Sequence, residues 1–114
     1  MTLSAATPEL PVTDEVAAQE WYVEQLGFEA TWHVTDGRIA AVRRGDCALF
    51  LRGGHDAPAP QVVWVFAEDV DAFADEVAAS GVEIAVPLAD TPWGLRQFTV
   101  RDPSGHLIHF HHDL

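Results

Sequence analysis

Four histidines, His106, His109, His111 and His112, crowd the C-terminal end of this 114-residue chain. On an extended strand, successive side chains point to opposite faces. His109 and His111 therefore share one face, and His106 and His112 share the other. A histidine pair at i, i+2 can chelate a transition metal, but a stable site needs a further donor, which His33 or an acid would have to supply. The rival reading makes His109 a hydrogen-bonding residue and leaves His111 and His112 in a frayed terminus. No other catalytic pattern stands out. Ser4, Ser80 and Ser104 fall in a tail, a helix end and a turn, without an evident base, and Gly53-Gly54 makes no phosphate loop. The acids are many, yet no two of them pair as proton donor and acceptor. Cys47 is the only cysteine. It can form no intrachain disulfide and has no positive neighbour to activate it, so it reads as a small strand residue in a reducing cytoplasm.

The elements that would position these groups repeat. Asp14 caps a helix over residues 14–25, in which Ala17, Trp21 and Leu26 form the apolar set and Trp21 is expected in the core; Gly27 stops it. Asp69 caps a second helix over 69–80, with a Val70, Phe73, Val77 stripe and a stop at Gly81. The two stops, Leu26-Gly27-Phe28-Glu29 and Ser80-Gly81-Val82-Glu83, lie 54 residues apart. A short strand precedes each helix, at 10–13 and 61–67, and three strands follow it. In the first half these are 29–35, 38–43 and 47–52, with Asp36-Gly37 signalling a type I′ hairpin and Gly45-Asp46 closing the next turn. In the second half they are 82–88, 95–101 and 106–112, with Asp102-Pro103-Ser104-Gly105 as the last turn. Val82, Ile84, Val86 and Leu88 should share a face, and strand 61–67, apolar on both faces, should be central and buried.

This pattern gives an α+β fold of two tandem βαβββ modules forming a cupped mixed sheet. One domain, 1–114, divides into module one at 7–52, a Gly/Pro-rich linker at 53–60 and module two at 61–112.

Charge narrows the partners. Eighteen Asp and Glu face six Arg and no Lys, a net charge of −12. Contact with a phosphate backbone needs basic clusters, so nucleic acid is not an expected partner. The acidic field would instead concentrate a cationic ligand. No apolar run is long enough to span a membrane, and the N-terminal residues show no export signal. The expectation is a cytoplasmic protein without a membrane partner.

Residues along nearly the whole chain carry a resemblance. Leu10-Pro-Val-Thr-Asp-Glu-Val, Glu20-Trp-Tyr and Leu26-Gly27-Phe28 resemble the opening module of the glyoxalase/bleomycin-resistance/dioxygenase (vicinal-oxygen-chelate) superfamily. Val63-Trp-Val-Phe resembles its central strand. Pro92-Trp93-Gly94, Arg96, Phe98 and the run from Arg101 to Phe110 resemble its closing hairpin. Within the superfamily the likeness is greatest to bleomycin-resistance proteins, which hold a drug without transforming it.

The resemblance implies where enzymes of the superfamily would bind a metal, and those positions map to Thr7, Leu49, Val62 and His109. Valine and leucine carry no donor atom, threonine is a poor ligand, and one histidine does not hold a divalent ion. The expectation is therefore no metal, no cofactor and no catalytic residue; the alternative is a metal-dependent lyase or dioxygenase with a rearranged histidine site. If Val62 faces the cup, so do Trp64 and Phe66. With Trp32, Trp93 and His109 they would line a cleft for a flat, cationic antibiotic of bleomycin type, giving resistance by sequestration. The resemblance also implies a homodimer in which the N-terminal strand crosses to the partner, hinged at Pro8.

Overall fold

The computed structural model describes all 114 residues. The elements run β1 (Glu9–Pro11), α1 (Glu15–Leu26), β2 (Glu29–Val34), β3 (Ile39–Arg44), β4 (Cys47–Arg52), β5 (Val62–Phe66), α2 (Val70–Ser80), β6 (Ile84–Asp90), β7 (Leu95–Arg101) and β8 (Leu107–Asp113). They make two four-stranded mixed sheets, ordered β1-β4-β3-β2 and β5-β8-β7-β6. In each sheet the strand before the helix pairs in parallel with the last strand of its module, and the other pairs are antiparallel. The fold is α+β with two βαβββ modules. The chain divides into two compact units, 1–23 with 27–58, and 24–26 with 59–114. No helix is long and apolar enough to cross a membrane.

In unit one the side chain of Asp14 accepts from the amides of Val16 and Ala17, which α1 leaves unpaired at its start. Gly27 ends α1 in the left-handed conformation, with φ 68°. The core takes Leu10, Val12, Ala40, Val42, Leu49 and Leu51 from the sheet. From α1 it takes Tyr22, not the expected Trp21, which stays half-buried edge-on to Tyr22. The buried side of α1 includes Glu15, and Gln19 lies half-buried along it. Polar residues at these positions break the apolar spacing around Trp21, whereas Leu26 is buried as expected.

Glu15 is buried because its charge is met. His33 Nε2 donates to its Oε2 at 3.0 Å and Arg38 Nε to its Oε1 at 3.2 Å. The bond from His33, above all, and backbone hydrogen bonding hold the Glu15 carboxyl below its ordinary range. A side chain at Gly53 would collide with that carboxylate. Arg38 also donates to the Thr13 carbonyl at 3.1 Å and adopts φ 50°. The β2–β3 hairpin is therefore not the expected type I′ turn, which would put positive φ at Asp36 and Gly37. The turn closes from Thr35 to Arg38, and its left-handed residue is Arg38, held by these bonds.

Unit two is cemented by rings. Phe73 of α2 meets Phe98 of β7 and Phe110 of β8 at centroid distances of 5.9 and 4.7 Å, and the latter two stack at 5.4 Å. Val70 and Val77 complete the buried stripe of α2. Arg96 crosses the surface to Asp71 at 2.7 Å and Asp90 at 2.9 Å.

Three expectations fail in unit two. The strand β5 lies at the edge of its sheet, not at the centre. It is apolar on both faces, yet only the face of Val63 and Val65 is covered. The alternation of β6 is broken by irregularities between Ile84 and Val86 and between Val86 and Ala89, which leave Val86 exposed. The C-terminal residues are not frayed. Pairing with β7 runs to Asp113, His112 Nδ1 accepts from the first amide of α2 at 3.2 Å, and the Leu114 amide donates to Gly94 at 3.1 Å.

Candidate functional site

The free face of the unit-two sheet, away from α2, is built by plain alternation. In β5 it presents Val62, Trp64 and Phe66, all more than half or about half exposed (57%, 50% and 62%). The register places Trp64 beside His109 and Phe66 beside His111, and across β8 it sets Thr99 against His109 and Gln97 against His111. The result is a surface of rings over a polar floor. Trp64 and His109 meet with their rings tilted by 32° and centroids 4.2 Å apart. His111 stands edge-on to both Trp64 and Phe66. Trp93 extends the surface from the β6–β7 turn, where its indole Nε1 donates to Gln97 Oε1 at 2.9 Å.

His109 is fixed on two sides. Its Nδ1 lies 2.6 Å from Thr99 Oγ1, and Thr99 is itself buried. Burial first, then the adjacent His111, pushes the His109 pKa below its ordinary value. A neutral imidazole against an indole is a stacking partner, and it leaves one face of Trp64 for a ligand ring. The Nδ1 atom of His111 is buried with no hydrogen-bond partner.

The free face of unit one carries Trp32, 42% exposed, against Phe50 at a centroid distance of 5.2 Å. Of the expected ligand-binding residues, Trp64, Phe66, Trp93 and His109 belong to one surface in unit two. Trp32 belongs to a second surface, in unit one. Pro8 stands just before β1, and its carbonyl accepts from the Phe50 amide at 2.9 Å, so within the single chain β1 pairs with its own β4.

The family model for the glyoxalase/bleomycin resistance protein/dioxygenase superfamily matches residues 4–110. The chain belongs to this superfamily. Among solved structures, TioX from Micromonospora sp. ML1 is 33% identical, with 97% of this chain and all of that one covered and a TM-score of 0.78. The bleomycin-binding protein of the bleomycin producer Streptomyces verticillus, in complex with copper(II)-bleomycin, is 31% identical, with 96% of both chains covered and a TM-score of 0.78. TnmS3, an antibiotic binding protein from Streptomyces sp. CB03234, is 27% identical, with 100% and 99% covered and a TM-score of 0.80. No curated protein sequence matches the chain.

Enzymes of the superfamily need donors from both modules, and the residues here do not fit a divalent ion. Thr7 is exposed ahead of β1. Leu49 is not on the free face at all. It is buried on the side of Leu51, and the residue that corresponds to His109, opposite the strand before the helix, is Phe50. Leu49 and His109 each precede a phenylalanine, but Phe50 faces away from the core and Phe110 into it, so the two positions are not equivalent. His33 is engaged by Glu15 and is no third ligand for His109 and His111. No three His, Cys, Asp or Glu side chains converge.

Thr99, Gln97 and Phe50 were not singled out from the sequence. The first two were within reach: the Asp102–Gly105 turn fixes Arg101 opposite Leu107, and counting back in twos sets Thr99 against His109 and Gln97 against His111.

Proposed function

We propose that the protein binds a small antibiotic of bleomycin type and confers resistance by sequestration, without chemistry of its own. The observation that carries this reading is the exposed row Val62, Trp64, Phe66, with the His109 ring 4.2 Å from the Trp64 indole. Aromatic rings exposed side by side on one sheet face are a stacking surface for a flat group. The net charge of −12 draws a ligand with a cationic arm toward it. Kinship with bleomycin-binding and antibiotic-binding proteins at 31% and 27% identity supports the same ligand class.

In this reading Trp64, Phe66, Trp93 and His109 contact a ligand on unit two, and Trp32 offers a ring on the free face of unit one. The protein is a cytoplasmic homodimer whose dimer contact covers part of the exposed apolar surface, with Pro8 as the hinge of an exchanged N-terminal strand. Titrating bleomycin into the protein should quench tryptophan emission to saturation at micromolar ligand. An unchanged emission spectrum would end the bleomycin assignment. Light scattering at graded concentration tests the dimer.

A further inference from the structure

Trp32 reaches the free face of unit one through a fault in its strand. Opposite residues of an antiparallel pair share a face. The register opens with Glu29 opposite Arg43 and Ala30 opposite Val42. Continued without interruption, it would set Trp32 opposite Ala40, on the buried side with Val42, Leu49 and Leu51. A bulge intervenes between Ala30 and Trp32, and Trp32 pairs with Ala41 instead. Ala41 in turn pairs with Phe50, and the ring contact of Trp32 with Phe50 crosses it. One extra residue, Thr31, therefore turns the indole from the core to the free face.

A bulge disrupts the local ladder and leaves carbonyls to be satisfied by other groups. Here that group comes from α1. Gln19 Nε2 donates to the carbonyl of Trp32 at 3.0 Å and to the carbonyl of Ala41 at 3.0 Å. These are the two residues that the shifted register brings together. Both partners are acceptors, so the amide must present its nitrogen, and each of its two N–H groups serves one strand. A glutamate of the same shape would set an oxygen against two oxygens.

We infer that Gln19 is a positioning residue: its amide pins the β2 bulge and thereby sets Trp32 on the ligand-facing side. This rests on the proposed antibiotic-binding role for its consequence in affinity, but not for its consequence in structure. Gln19 does not reach the ligand. It acts through the backbone beneath Trp32, and α1 thus takes part in building a surface on the opposite side of the sheet.

The test uses the full chain labelled with 5-fluorotryptophan, whose four tryptophans give separable fluorine signals; Trp32 is assigned by its loss in Trp32→Phe. Gln19→Met removes both donors at similar bulk. The expected result is a shifted or broadened Trp32 signal with the Trp64 and Trp93 signals in place, and a bleomycin affinity lower by about fivefold, the effect of one modest polar interaction. Gln19→Lys, which restores N–H donors on a flexible stem, should return the Trp32 signal toward its original position. An unmoved Trp32 signal in Gln19→Met overturns the inference, and so does a common displacement of all four signals, which would mark Gln19 as a general stability residue. A moved Trp32 signal in a protein that never bound bleomycin would uphold the positioning role and remove the antibiotic reading alone.

Discussion

Trp64 in unit two reaches the free face by simple alternation from Val62, whereas Trp32 in unit one reaches it only because the strand is interrupted at Thr31. The helix sides differ in the same sense. Unit two closes over an apolar triad, Phe73, Phe98 and Phe110. Unit one closes over a buried carboxylate, Glu15, met by His33 and Arg38, and over the Gln19 amide. The difference teaches that a repeated topology does not require repeated physics. An apolar helix side does not by itself keep a strand regular, since β6 of unit two carries two irregularities. Where polar groups reach up from the helix, they can sustain an irregular strand and turn a residue around.

The sharpest way to break this contrast is to cut the ring cluster. Phe110→Ala should lower stability by about 3–5 kcal/mol in chemical denaturation, as for other buried phenylalanines. A loss as small as that of a surface change would mean the triad is not the cement of unit two. In unit one, Gly53→Ala forces a methyl group against the Glu15 carboxylate and should cost about 1–3 kcal/mol. The same change should cost much less in a Glu15→Ala background, and equal costs in both would refute the contact.

Acid separates the two units. The Glu15 carboxyl titrates below its ordinary value in the folded chain, so the unfolded chain takes up the proton first. Its stabilisation is present above the ordinary glutamate range and is lost as pH falls through the lowered value. Glu15→Gln should flatten that part of the stability–pH curve, while Phe110→Ala, in the ring cluster of unit two, should lower stability without changing the curve's shape there. Smallest are the caps. Asp14 serves two amides, and Asp69 serves one, with His112 taking another. Asp14→Ala should cost about 1 kcal/mol and Asp69→Ala somewhat less, read from thermal melting.

The same contrast explains what the sequence could disclose. Asp14 and Gly27, Asp69 and Gly81, and the Asp102–Gly105 turn mark their elements because each does its work locally, with partners only a few residues away in the chain. Trp64 and Phe66 could be placed on a face because period two holds through β5. Trp32 carries no such local signal, since its strand without the bulge would turn it inward. Trp21 and Leu49 differ from expectation because Glu15 and Gln19 share the inner side of α1 with Tyr22, and because Phe50 and Phe110 face opposite ways. A bulge held by a residue on another element leaves no mark in local spacing, and neither does a buried carboxylate whose partners are His33, 18 residues on, and Arg38, 23 residues on.

The central proposal is that the ring surface of unit two holds its ligand by stacking, without a metal of its own. Titrating metal-free bleomycin in the presence of a chelator, by calorimetry, into the wild-type chain and into Trp64→Ala tests it most directly. Saturable binding that survives chelation and weakens by more than about tenfold without the indole is the predicted result, in line with loss of an aromatic anchor. Binding that appears only when a divalent metal is restored to the protein, or that is indifferent to Trp64, would contradict it.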